Sequence, residues 1–118
     1  MKQIEERALS YLGFAVRARR VVIGVALVCE ALKKVPNGSD KSPLIVLEAA
    51  DTSANTHKRI ADRTLYYKTP AVRLSINGDA LATAVGKRGG TVGAVGVTDQ
   101  NLAAAIAALY GISILDSQ

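Results

Sequence analysis

The residues best suited to acid–base or nucleophilic chemistry are a lone histidine and a lone cysteine. His57 lies beside Lys58 and Arg59 in an amphipathic segment with no nucleophile in its sequence context, so we interpret it as a solvated helix residue rather than a general base. Cys29 falls on an apolar helical stripe, where a small buried thiol is expected; a reactive thiolate would need a neighbouring cation. The two side chains cannot assemble a metal cluster of the usual ligand count, so no catalytic residue, metal or cofactor is predicted.

The glycine-rich stretch GKRGGT, residues 86–91, could be taken for a phosphate-binding loop of a nucleotide-binding enzyme. Position 81 is Leu where the motif G-x-x-x-x-G-K-[ST] has its first glycine, and Arg88 replaces the Ser or Thr. The stretch also joins a predicted helix to a predicted strand, which is the wrong order for such a loop. No G-x-G-x-x-G follows a predicted strand either. A nucleotide cofactor is therefore not expected, and an enzyme is disfavoured.

Composition and charge predict a small cytoplasmic protein with a polyanionic partner. The chain has 118 residues, of which 49% are apolar and 4% aromatic, so we expect one domain, residues 1–118, with an aliphatic core. No apolar run is long enough for a membrane span, and the charged start KQIEER lacks the apolar core of a signal peptide. A cytoplasmic location without membrane binding is therefore expected. The net charge of +5 favours nucleic acid as the partner.

Helical and extended periodicities alternate along the chain, which predicts an α/β fold with a sheet between helices. Residues 44–49 are interpreted as a continuous apolar run, typical of a strand covered on both faces, and are placed in the centre of the sheet. The other strands are predicted at 21–23, 71–76 and 92–97. Helices are predicted at 3–18, 25–34, from a cap within 51–53 to about 68, from Asn77 to Gly86, and from Thr98 or Asp99 to Gly111. Residues 35–43 are expected to form an exposed, mobile loop, and residues 112–118 fit neither period.

Basic and small residues gather in the loops between these elements. Loops at one edge of such a sandwich can converge, and the candidates are Arg19–Arg20, the Gly24 turn, Ala50–Asp51 and Lys87–Gly89. Arginines beside exposed amides at a helix N-terminus can position a phosphate, and glycines let RNA approach closely. The alternative is that Arg17, Arg19 and Arg20 merely solvate a helix end.

Five segments carry a resemblance to a known family. LGFAVRARRVVIG, LIVLEAADTSANTHKRI, YYKTPAVRL, AVGKRGG and GVTD, in that order, resemble the ribosomal protein L-seven-Ae/L-thirty-e family of kink-turn RNA-binding proteins, especially its small bacterial members. The resemblance covers roughly residues 8–102. It implies a three-layer α/β/α sandwich with a mixed four-stranded sheet, no enzymatic activity, and a structured RNA partner, ribosomal or ribosome-associated. It also implies RNA binding through the turn before the second helix, that helix's N-terminus, and loops on the same edge.

The residues after Gly24 depart from the RNA signature of that family, G-x-N-E-x-x-K. Ala26 stands where the signature has Asn, Leu27 where it has Glu, and Glu30 where it has Lys. Methyl and isobutyl groups cannot hydrogen-bond the sheared G·A pairs of a kink-turn, and Glu30 would repel phosphate. We therefore expect RNA to be held by shape and phosphate contacts, with weak base-specific recognition. The candidate RNA-binding residues are Arg19, Arg20, Gly24, Val25, Ala26, Leu27, Lys87, Arg88 and Gly89.

The second predicted helix also supports an alternative function. At about 100° per residue, one side of the helix faces the core and the other faces outward. The core side comprises Val25, Val28, Cys29 and Leu32, and the outer side Ala26, Leu27, Glu30 and Ala31. An exposed apolar patch invites association, so the alternative is a protein-interaction module that uses the Leu27 surface without binding RNA.

Overall fold

A mixed four-stranded sheet forms the middle layer of the computed structural model, which describes residues 2–114. Its strands are β1 (Val21–Ile23), β2 (Ile45–Glu48), β3 (Ala71–Arg73) and β4 (Ala94–Val97). They lie in the order β1-β4-β2-β3, with β2 parallel to β3 and β4 antiparallel to both β1 and β2. The predicted α/β/α sandwich is confirmed, and residues 44–49 supply a central strand.

Helices cover both faces of the sheet. They are α1 (Lys2–Arg17), α2 (Val25–Leu32), α3 (Ala54–Tyr66), α4 (Gly78–Ala84) and α5 (Gln100–Leu109). Ile45 and Leu47 pack with α1, α4 and α5 on one face, and Val46 packs with α2 and α3 on the other. Because successive side chains of a strand point to opposite faces, β2 contributes to both cores. Within residues 2–114, no helix is long and apolar enough to cross a membrane.

Side-chain caps fix the starts of three helices where the sequence predicts them. Ser53 Oγ accepts the amide N–H of Thr56 at 3.1 Å and begins α3. Asn77 begins α4, and Asp99, rather than Thr98, begins α5, each accepting an amide N–H at 2.8 Å. A polar side chain that satisfies a free amide of the first turn stabilises a helix by about 1 kcal/mol, so these boundaries follow from local chemistry.

Several predicted boundaries need correction. The second helix ends at Leu32 rather than at residue 34, and the strands predicted at 71–76 and 92–97 cover only 71–73 and 94–97. The expectation of an exposed loop at 35–43 is wrong for Ser42 and Pro43, which are buried. Pro43 covers β4, since a Cβ on Gly96 would lie 2.8 Å from its Cβ. Residues 112–114 form neither helix nor strand, and residues 115–118 lie outside the described residues.

Candidate nucleic-acid interface

The two ends of the β1–β4 ladder carry different residues. At one end the amide N–H of Gly24 donates to the carbonyl oxygen of Ala94 (2.8 Å), and at the other the N–H of Thr98 donates to the carbonyl oxygen of Arg20 (2.9 Å). Because the strands are antiparallel, the chain leaving β1 meets the chain entering β4. We call the end with the Gly24–Ala94 hydrogen bond the glycine end, and define it by Gly24, Asp51, Thr52 and Gly93. The second is the arginine end, defined by Arg19, Arg20 and Thr98.

Gly24 turns the chain from β1 into α2. Its φ of 105° and ψ of 146° lie in a region that residues with side chains rarely adopt, which explains glycine at this position. No side chain caps α2, so the first amide N–H groups of the helix have no helical partner. Ala26 and Leu27 are exposed and Val25 is half-buried. This turn therefore offers peptide groups, rather than polar side chains, to a ligand.

Gly93 brings three elements together at the glycine end. A Cβ at this position would lie 2.8 Å from Cγ2 of Val25 in α2 and 3.4 Å from Cγ2 of Thr52, which follows β2. The N–H of Ala49 donates to the carbonyl oxygen of Gly93 at 2.9 Å. Only a residue without a side chain fits here without displacing a neighbour, so the starts of β4 and α2 and the end of β2 meet closely.

Asp51 joins the glycine end to the start of α4. Its Oδ1 accepts the N–H of Gly78 at 2.8 Å, and the carbonyl oxygen of Gly78 accepts the N–H of Val92 at 3.0 Å. The neighbouring Ala50 donates its N–H to the carbonyl oxygen of Ile76 at 2.8 Å. Residues 50–51, the start of α4 and the chain that leads into β4 therefore form one connected backbone network.

The loop of residues 86–91 carries two cations beside this network. The N–H of Lys87 donates to the carbonyl oxygen of Ala82 (2.9 Å), so the loop leaves the C-terminal turn of α4 and returns beside Gly78. Lys87, Arg88 and Gly89 are all exposed. Three of its glycines have positive φ angles, at positions 86, 89 and 90. The loop thus presents two basic side chains on a glycine-rich backbone that continues directly into Gly93.

Arg19 and Arg20 lie at the arginine end, away from this loop. Three residues of extended chain lie between Arg20 and Gly24, so at 3.3 Å per step their Cα atoms are about 13 Å apart. The prediction that these arginines converge with Lys87–Gly89 on one edge is wrong, because β4 runs antiparallel to β1. The loop before β4 enters at the glycine end, whereas Arg20 pairs with Thr98 where β4 ends. Of the four predicted segments, the Gly24 turn and Ala50–Asp51 lie at the glycine end, the loop with Lys87–Gly89 leads into it, and the arginine pair lies at the other end of the ladder.

The exposed side of α2 matches the predicted outer face except at one residue. Ala26, Leu27 and Glu30 are exposed, and 61% of the Leu27 surface is accessible. Ala31 is only 7% exposed, so its placement on the outer face is wrong. The helix contacts β1 and α3 as well as β4, which buries a wider arc than one stripe. Cys29 is 1% exposed, which confirms its interpretation as a core thiol.

A buried carboxylate near the glycine end was not anticipated from the sequence. Glu48, the last residue of β2, is 3% exposed, and its two carboxylate oxygens lie 2.9 and 3.0 Å from Nδ1 of His57. The hydroxyl of Thr52 donates to the same carboxylate. Arg73 contributes Nε at 3.8 Å from Glu48 and donates to the Thr52 carbonyl oxygen at 3.3 Å. His57 is a helix residue with 44% of its side chain exposed, as predicted, but it also links α3 to β2, which the sequence analysis missed.

This cluster positions the chain rather than providing reactive groups. Nδ1 of His57 is hydrogen-bonded to the carboxylate of Glu48, and the hydroxyl of Thr52 donates to the same carboxylate. Neither group is therefore free to act on a substrate. The cluster fixes Thr52, which also contacts Gly93, against β2 and β3. The one sequence signal was an acidic residue within an otherwise apolar strand segment, which calls for a partner when buried.

The fold is shared with solved structures of other proteins. A protein of unknown function from Bacillus halodurans C superposes with a TM-score of 0.72 and 29% identity, covering 88% of this chain and 96% of that one. The 15.5kD RNA binding protein of Giardia lamblia also superposes with a TM-score of 0.72, at 18% identity, covering 92% of this chain and 86% of that one. The chain therefore has the same α/β/α sandwich fold as these two proteins.

The sequence comparisons identify the family. The chain is 38% identical over 105 residues to the RNA-binding protein YlxQ of Bacillus subtilis (strain 168), covering 89% of this chain and 91% of that protein. It is 29% identical over 69 residues to the YlxQ protein of Enterococcus faecium, covering 58% and 61% of the two chains. No family model matches the chain. The chain belongs to the YlxQ family, and the shared α/β/α fold is the one that the predicted resemblance implies.

Proposed function

We propose that this protein is a non-enzymatic RNA-binding protein that holds structured RNA at the glycine end. The observation that carries the proposal is the 38% identity to the Bacillus subtilis YlxQ protein along 91% of its length, since that relative is named an RNA-binding protein. The net charge of +5 is consistent with a polyanionic ligand. The proposed RNA is a kink-turn-like element of ribosomal or ribosome-associated RNA, bound in the cytoplasm.

Backbone groups and loop cations would hold the phosphates. The uncapped first turn of α2, Val25 to Leu27, directs free N–H groups and the positive end of the helix dipole toward a ligand. Gly24 lets the backbone turn sharply in front of that helix end. Lys87 and Arg88 are exposed on the loop that leads into Gly93, where they can reach phosphates beside the same turn.

Base-specific recognition would be weak at this surface. The exposed side chains of the α2 turn, Ala26 and Leu27, have no hydrogen-bonding atoms for base edges. Glu30 is exposed and pairs with Lys33 at 3.3 Å, which partly neutralises its repulsion of phosphate. RNA would therefore be selected by shape: a kinked backbone that fits the turn would bind more tightly than a plain duplex.

The salt dependence of RNA binding tests this proposal. A kink-turn RNA and a duplex of equal length are titrated with the wild-type protein and with Lys87→Gln/Arg88→Gln at several salt concentrations. Each lost phosphate contact reduces the log–log salt slope by about 0.7 to 0.9. In the double variant the magnitude of the log–log salt slope should therefore fall by about 1.4 to 1.8, and both RNAs should bind more weakly.

The matched control is Arg19→Gln/Arg20→Gln, which removes the same charge at the arginine end. This variant should keep the wild-type slope, because those side chains lie beyond the ladder from Gly24. Equal losses in both variants would show that charge acts without regard to position. Absence of any salt-dependent RNA binding by the wild-type protein would refute the RNA proposal itself.

A further inference from the structure

A second surface, which shares Leu27 with the first turn of α2, runs along the open edge of β1. A groove of about 450 Å³ lies between this strand and α2. Its floor is apolar, formed by residues 21–23 together with Leu27 and Ala31. Three cations line it: Arg19, Lys34 and Lys41. Since β1 pairs only with β4, no other strand among the described residues pairs with this edge.

The backbone of β1 offers unpaired groups to this groove. Arg20 and Gly24 both form their hydrogen bonds with the β4 side, through Thr98 and Ala94. In an antiparallel ladder the direction of the backbone groups alternates along a strand. The backbone N–H and C=O groups of Val22 therefore also point toward β4. Those of Val21 and Ile23 point toward the open side of the strand. An extended segment can add to such an edge by main-chain hydrogen bonds.

The cations of the groove stand on an ordered backbone. Arg19 has a positive φ of 61° and donates its N–H to the carbonyl oxygen of Val16 at 3.0 Å. Lys34 donates its N–H to the carbonyl oxygen of Ala31 at 3.0 Å. Lys41 donates its N–H to Oγ of Ser39 at 3.1 Å. One acidic residue, Glu30, lines the same groove and pairs with Lys33, so the net charge of the lining is positive.

We propose that the β1 groove binds an extended, acidic segment of a partner protein as an added strand. Acidic side chains of the segment meet Arg19, Lys34 and Lys41, and an apolar side chain covers Leu27, which is 61% exposed. A second copy of this chain fits poorly, because pairing two β1 edges would bring two basic grooves together. RNA fits poorly too, because the floor is apolar and RNA has no strand to pair with the N–H and C=O groups of Val21 and Ile23.

The test uses the ¹⁵N-labelled protein and a peptide of alternating Glu and Val, about seven residues long to match an added strand and blocked at both ends. The peptide is added up to millimolar concentration while the protein amides are observed by NMR. The amide resonances of Val21 and Ile23 should shift, and their hydrogen exchange should slow. Lys34→Glu/Lys41→Glu should weaken the affinity about tenfold, because two attractive rim charges become repulsive. Lys58→Glu/Arg59→Glu on α3, outside the groove, changes the charge equally and should leave the affinity within about twofold.

Further probes identify the occupant. A peptide with Lys in place of Glu, and the acidic peptide with its backbone N-methylated, should both fail to bind. The proposal is overturned if Val21 and Ile23 do not respond to the acidic peptide or if the Lys peptide binds equally well. It is also overturned if an RNA oligonucleotide occupies the groove more tightly, or if the shifts depend on protein concentration alone. RNA binding at the glycine end is measured separately, so each proposal can fail without the other.

Discussion

Replacing His57 by Ala should destabilise the protein because it leaves a buried carboxylate short of a donor. Glu48 is 3% exposed, and Nδ1 of His57 lies 2.9 and 3.0 Å from its oxygens. After the change, the carboxylate keeps the hydroxyl of Thr52, while Nε of Arg73 at 3.8 Å is beyond hydrogen-bond length. A hydrogen bond to a charged group contributes about 1.5–3 kcal/mol. We expect His57→Ala to lower the free energy of unfolding by about that amount.

A double-mutant cycle measured by urea denaturation at neutral pH separates the pair from its surroundings. Glu48→Gln removes the charge, so His57→Ala should cost much less in that background, giving a coupling energy above about 1 kcal/mol. Lys58→Ala is the control, because it breaks the exposed Lys58–Asp62 pair (2.9 Å) one residue away and should have no measurable effect. A coupling energy near zero, or equal effects of His57→Ala and the control, would show that the Glu48 carboxylate does not depend on His57.

Three other variants test the packing around the site and on the opposite face of the sheet. Gly93→Ala should lower the free energy of unfolding by about 1–3 kcal/mol in urea, because its Cβ would meet Val25 at 2.8 Å. Gly13→Ala in α1 has open space around its Cβ and should raise the free energy of unfolding by about 0.5–1 kcal/mol. A Gly93→Ala variant more stable than Gly13→Ala would contradict the packing described around Gly93. Tyr110→Phe should raise the free energy of unfolding by about 1 kcal/mol, because the hydroxyl is buried with no hydrogen-bond partner within the described part of the chain. Burial, and next the charge of Glu5, raise the pKa of Tyr110 above 10.0. The wild type should therefore lose stability as pH rises through that raised pKa, whereas the Phe variant should lose less; identical alkaline unfolding curves would count against this.

Local chemistry made much of the fold predictable. The strand at 21–23 was predicted with its observed bounds, and the caps Ser53, Asn77 and Asp99 lie at or within the predicted helix starts. Gly24 was predicted as the turn before α2 because no other residue adopts its backbone angles freely. These features depend on residues adjacent in sequence, so a single sequence contains the information for them.

The arrangement of the candidate site depends on strand direction, which local patterns do not encode. Segments that precede β1 and β4 would share one end of a parallel sheet, but β4 is antiparallel and carries residues 86–91 to the glycine end. Arg19 and Arg20 are left at the opposite end for the same reason. The Glu48–His57 contact is likewise tertiary, joining residues nine positions apart on a strand and a helix. Only the partner's position could have identified His57 as structural.

Binding of RNA at the glycine end can be measured by following the backbone amide resonances of the protein during titration with a kink-turn RNA. We expect the largest shifts at Val25, Ala26 and Leu27 and in the loop 86–91, with little change at Arg20 and Thr98. Shifts confined to the arginine end, or no shifts in any amide at saturating RNA, would contradict RNA binding at the glycine end.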